Sequence, residues 1–122
     1  MTISEAIDNF DTLMPNTFTT VDKISWLSQL DGLIKTSIID THEGWEDVEL
    51  NGYDRETPMG TVLLVGEPYD EIYYLWMESR LHYLNGELVK YNNAIERYND
   101  LFQTYSNWYN RTYMPLGESI KY

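Results

Sequence analysis

The sequence predicts an all-α fold, a small helical bundle with a long C-terminal helix and an irregular acidic loop. Three observations carry this. From Met77 to Tyr109 a heptad seam runs unbroken, with Leu81, Leu88, Ile95, Phe102 and Tyr109 at one offset. Met77, Leu84, Tyr91, Tyr98 and Tyr105 fill a second offset, and apolar residues at both offsets mean a helix packed along its length. Upstream, two shorter stretches show the 3, 4 spacing of amphipathic helices. Between these blocks, residues 44–66 hold Gly44, Gly52, Pro58, Gly60 and Gly66, with six acidic residues from Glu43 to Glu56.

Ile3, Ile7, Phe10 and Met14 define the first helix, about residues 4–13, with Ser4 as its N-cap and Pro15-Asn16 closing it. Thr19 or Thr20 caps the second, about 20–41, and Asp22 adds favourable charge in its first turn. Ile24, Leu27, Leu30, Ile34 and Ile38 line one face of it. Gly32 costs about 1 kcal/mol against alanine within a helix, so close packing against a neighbour is its expected reason. In the loop only Thr61–Val65 reads as a strand, without an evident partner in the chain, so it covers the helices or pairs with a neighbouring subunit.

Pro68 suits the first helical residue of the last block, followed by Asp70 and Glu71 at the positive end of the helix dipole. The helical pattern then runs over about 68–113. Asn85-Gly86 is its weak point, but the heptad phase carries through, which favours a continuous or gently kinked helix over a hairpin. Leu88 and Ile95 are then core positions. Asn85, Asn92 and Asn99 either form a register-fixing ladder or edge the seam at the solvent boundary.

One domain fits 122 residues. Eleven tyrosines and four tryptophans are many for this length, and tyrosine suits surfaces that are half buried or meet a partner. The seam therefore points to a homo-oligomer. The absence of cysteine excludes disulfides, thiolate metal sites and cysteine nucleophiles. MTISEAIDNF lacks the basic and apolar regions of a signal peptide, and no run is long enough to span a bilayer. The formal net charge is −12. Residues 1–68 hold thirteen acidic and three basic side chains, whereas residues 69–113 hold six and four. Such a chain repels phosphate backbones and anionic lipid, so no direct nucleic-acid or membrane partner is expected.

Reaction centres and ligand sets do not emerge. Asp47, Glu49, Asn51 and Gly52 follow the start of a calcium loop, but Pro58 stands where a bidentate glutamate is needed. His42 and His82 lack a third ligand at zinc spacing, and His42-Glu43 does not continue as HExxH. His42 flanks the end of the second helix. The pairs Asp70/Glu71 and Glu46/Asp47 are adjacent and point apart on a helix. Asn110-Arg111-Thr112 matches a glycosylation sequon by chance. The reading is no enzyme, no cofactor and no metal.

The segments KISWLSQLDGLIK (23–35), SIIDTHEG (37–44), EPYDEIYYLWMESRLHYLNGELVKYNN (67–93) and YNRTYMPLG (109–117) together resemble a family of small prophage proteins of tailed phages. One departure is Gly66 before Glu67-Pro68, where the pattern has proline or alanine. The resemblance implies a virion-assembly role near the head–tail junction, as a connector or head-completion subunit forming rings under the portal. It implies portal or tail proteins as partners, and the bacterial host cytoplasm and then the virion as location. It brings no catalytic or ligand residues with it. Under this reading Tyr91, Tyr98, Phe102, Tyr105 and Tyr109, with Leu63 and Leu64 of the loop, are the expected interface residues. The acidic loop would meet neighbours in the ring or a basic surface. Two alternatives are an acidic DNA mimic that inhibits a host nucleic-acid enzyme, and a helical adaptor with no virion role. The surplus of acid in the first half, away from the nearly neutral long helix, argues against mimicry.

Overall fold

The computed structural model describes residues Met1–Leu116. Gly117, which ends the closing motif, and the rest of the predicted domain to 122 lie outside them. Four helices form the fold: α1 (Ile3–Leu13), α2 (Thr20–Ser37), α3 (Ile72–Leu84) and α4 (Leu88–Thr112). Among the described residues extended pairing is limited to two isolated antiparallel bridges, Thr2 with Val62 and His42 with Pro115.

Both upstream helices start on capping boxes. In α1 the cap is Thr2, two residues before the expected Ser4: Thr2 accepts from the Glu5 amide while Glu5 accepts from the Thr2 amide. Thr19 and Asp22 exchange the same bonds at α2. That helix ends at Ser37, short of the expected Thr41, and residues Ile39–Thr41 continue as a 3-10 turn. Pro68 does not open α3. Residues 67–71 are turns, the Glu67–Pro68 bond is cis, and the helix begins at Ile72.

The continuous helix expected across Asn85-Gly86 is corrected to a hairpin. Gly86 takes φ +72°, its amide donates to Tyr83 O at 3.2 Å, and the Glu87 amide donates to His82 O at 2.9 Å. That is the Schellman arrangement, in which a left-handed residue satisfies the last carbonyls of a helix and stops it. Contacts between Tyr83 and Tyr91, Trp76 and Tyr98, and Tyr69 and Tyr105 then run antiparallel along the pair. The heptad phase survives because a short turn returns the chain onto its own seam, so periodicity alone could not distinguish a straight helix from a folded one.

Helix α3 lies at the centre and touches α1, α2 and α4. Its buried residues, among them Ile72, Tyr73, Trp76, Met77, Ser79 and Leu81, face nearly every side, as a core helix must. By contrast α4 buries one stripe, Ala94, Tyr98, Tyr105 and Tyr109, with Ile95, Leu101, Phe102 and Trp108 half-buried beside it. The expected core position Leu88 is corrected: it is 66% exposed, as its seam neighbour Leu84 is at 56%, because both sit at the tip of the hairpin. Asn85, Asn92 and Asn99 are exposed, the solvent-edge alternative.

The loop finds its partner within the chain. The Leu63 amide donates to Met1 O and the Ile3 amide to Thr61 O, while Leu63 and Val65 are buried in the core. The anchor is Asp31, fully buried on α2. One of its carboxylate oxygens accepts from Tyr53 Oη at 2.5 Å and from the Leu64 amide at 3.1 Å; the other accepts from Tyr73 Oη at 2.6 Å. Tyr73 Oη in turn accepts from the Val65 amide at 2.8 Å. A carboxylate can stay in the core only when its lone pairs are filled in this way.

Candidate functional site

Two features at opposite ends of α4 present chemistry at the surface. The first is an aromatic hollow of about 190 Å³ where the last turns of α4 meet the chain before α3. The i, i+3, i+4 spacing of Tyr105, Trp108 and Tyr109 puts the three on one helix face, and Tyr69 and Tyr113 add further walls. Ring centroids lie 5.5 Å apart for Tyr69–Trp108, 5.6 Å for Tyr69–Tyr105 and 4.4 Å for Tyr109–Tyr113. Leu64 lines the hollow and Glu67 supplies its one carboxylate.

The walls are held from behind. His42, buried at the end of α2, has Nδ1 2.6 Å from Ile38 O and Nε2 2.7 Å from Asn110 Oδ1, and its ring stands edge-on to Tyr109 at 4.8 Å. Since Ile38 O can only accept, Nδ1 donates there. This fulfils the expectation that His42 flanks the helix end, and it ties the exposed Asn110 of α4 to that corner. The Glu43 amide donates to Met114 O at 2.8 Å, tying the chain after α4 to the same corner. Burial pushes the Tyr105 hydroxyl above its ordinary value, with smaller contributions from Tyr109, Asp31 and Tyr113. Tyr109 is raised by burial and then by Tyr113. The Tyr105 and Tyr109 hydroxyls are thus neutral near pH 7, and the hollow offers ring faces and one carboxylate, a lining that suits a cation.

Of the seven residues expected at an interface, the hollow brings together Leu64, Tyr105 and Tyr109. The others lie elsewhere. Leu63 is 3% exposed in the core. Tyr98 packs on Trp76 at 5.1 Å, with Phe102 beside it, and burial raises its hydroxyl to about 12. Tyr91 packs on Tyr83. The tyrosine seam is thus turned inward, filling the contact between α3 and α4. The sequence reading missed Tyr69, Trp108, Tyr113 and Glu67. The spacing Tyr105, Trp108, Tyr109, Tyr113 was the available signal.

The second feature surrounds the hairpin tip. Tyr83, Leu84, Leu88 and Val89 are each more than half exposed. Below them Arg80 lies with its guanidinium carbon 4.5 Å from the Trp76 ring, 5.4 Å from Tyr83 and 5.8 Å from Tyr91. The neighbouring charges are paired: Glu78 with Arg97, and Glu87 with both His82 and Lys90. Lys90, then His82, hold the Glu87 carboxyl below its ordinary value.

Among the described residues no three histidine, aspartate or glutamate side chains gather as a metal would require, and no helix is long and apolar enough to cross a membrane. Compared with known proteins, the chain matches no family model, no curated protein and no solved structure.

Proposed function

We propose that this chain is a phage assembly subunit of the head–tail connector kind, which oligomerises and grips a basic partner surface through the aromatic hollow. The hollow is the observation that carries the reading. Rings around a small cavity, with Tyr69, Trp108 and Tyr113 partly exposed and Glu67 at the wall, favour an arginine or lysine side chain. The net charge of −12 draws such a partner in. The prophage-like motifs supply the context, with portal or tail proteins as the partners and the host cytoplasm, then the virion, as the place. The DNA-mimic alternative is weaker, because acid concentrates in the first half of the sequence and leaves the long α4 nearly neutral.

The test is to delete the coding gene from an inducible phage and view the particles by electron microscopy. Filled heads and free tails that fail to join support the connector reading, and normal virions in normal yield overturn it. Complementation with Trp108→Ala and Glu67→Gln, combined in one chain, then tests the hollow. That variant should fold normally yet leave heads and tails unjoined.

A further inference from the structure

Among the described residues Arg80 is a cation without an anion. The chain carries 20 acidic side chains against eight basic ones, yet none of the described carboxylates pairs with Arg80, and its Nε is a buried nitrogen with no hydrogen-bond partner. A guanidinium nitrogen buried without a partner is costly unless something else compensates it, while the side chain as a whole stays partly exposed. Its guanidinium carbon lies 4.5 Å over the Trp76 ring, and with Nε enclosed it is the terminal nitrogens that can meet an oxyanion.

Two hollows meet at this side chain. An open one of about 500 Å³ lies between α2 and α3, lined by Gln29, Gly32, Leu33, Thr36, Trp76 and Arg80. A smaller one of about 190 Å³ continues past Trp26 to Tyr83 and Leu84. Gly32 has no atom within 4 Å of where a Cβ would stand. Close packing against a neighbour, its expected reason, is therefore absent, and the missing side chain leaves room in the larger hollow. One carboxylate, Asp22, borders the smaller hollow, but it is held in the capping box of α2.

We propose that Arg80 and the hollow beside Gly32 form a binding site for a carboxylate carried on an apolar body. The guanidinium edge takes the carboxylate, and Leu33, Trp76 and the open space at Gly32 take the apolar part. A monoanion fits better than a phosphate. A single arginine stands against a strongly negative chain, Asp22 is close by, and the walls are mainly ring and methylene. Such a carboxylate could reach the site as a free small acid or as a glutamate or aspartate side chain flanked by apolar residues on a partner chain.

The experiment is NMR titration of the full chain, following the Arg80 Nε–H and the indole N–H of Trp76. One arm uses 4-phenylbutanoate; the other uses an acetylated, amidated peptide with glutamate between leucines. A saturable shift of both resonances with either probe supports the site, and the arm that binds more tightly identifies the source. Arg80→Met should weaken binding about tenfold or more. Because Arg80→Met also removes packing on Trp76, Gly32→Leu serves as a second variant. It fills the hollow from a helical position with free space, should keep or raise the melting temperature, and should weaken binding to a similar degree. If neither probe moves Arg80 in the wild-type chain, or if Gly32→Leu binds as wild type does, the proposal is overturned.

Discussion

Asp31 shows how one residue organises a region that lacks regular structure. Burial raises its carboxyl above the ordinary 3.8, against the opposing effect of the bonds from Tyr53, Tyr73 and Leu64. A carboxyl raised by folding contributes stability that is fully present below 3.8 and is lost as pH rises through its folded value. At neutral pH the ionised group therefore costs stability, and acidification toward 3.8 removes that cost. Asp31→Asn should destabilise by about 1–3 kcal/mol, since an amide cannot accept all three bonds. The gap between wild type and variant should widen as pH falls from 7 toward 4; a gap that stays constant in urea melts would refute the raised carboxyl. Asp31 was legible in principle, because Ile24, Leu27, Asp31, Ile34 and Ile38 share the 3, 4 spacing of one face. A carboxylate in that row implies polar partners, but Tyr53 and Tyr73 are 22 and 42 residues away, and no local pattern points to them. Gly32, next in sequence, has the opposite lesson. With open space at its Cβ position and a helical backbone, Gly32→Ala should stabilise by about 0.5–1 kcal/mol in thermal melts, where close packing would have made it destabilising.

At the scale of elements, the decisive event is the turn between α3 and α4. Gly86 holds φ +72° with nothing within 4 Å of its missing Cβ, so Gly86→Ala meets no clash and reports backbone strain alone. It should cost about 1–2 kcal/mol, and Gly86→Asn less, since asparagine tolerates the left-handed region. Equal melting temperatures for wild type and Gly86→Ala would contradict the hairpin. The same turn redistributes the seam. Leu81→Ala, at 4% exposure, should destabilise by about 2–5 kcal/mol, whereas Leu88→Ala at the exposed tip should change stability by less than about 0.5 kcal/mol. The all-α class, the caps at Thr19 and Asp22, and the stripe through Tyr98 and Tyr105 were legible because 3.6-residue periodicity and capping chemistry are local. The reversal at Asn85-Gly86 was not, because a hairpin and a straight helix pack most of the same seam against different partners and differ chiefly at the tip residues Leu84 and Leu88. The strap at Thr61–Val65 escaped for a similar reason: its partner, Met1–Ile3, lies at the other end of the folding unit in sequence.

For the whole molecule, the inward turn of the tyrosine seam leaves the hairpin tip as the apolar cluster through which the proposed self-association would have to run. Tyr83, Leu84, Leu88 and Val89 form a cluster of exposed apolar side chains around one short turn. Two copies meeting there would hide much of that surface, and each buried apolar side chain favours the contact by about 1.5–3 kcal/mol. Opposing this is the repulsion between two chains of net charge −12. The balance makes association dependent on salt, because at about 0.01 M the screening length is about 30 Å and at 0.1 M about 10 Å. Light scattering on the full chain should therefore give a mass near 14.4 kDa in dilute, low-salt solution, rising with protein concentration and more steeply at higher salt. Leu88→Glu should hold the chain at the monomer mass at every salt concentration without changing its helical circular dichroism, because the side chain it replaces supports no other part of the fold. Trp108→Ala should leave the mass unchanged, since the hollow lies at the far end of a helix about 37 Å long and is assigned to a different partner. A mass independent of concentration and salt would refute self-association through the tip.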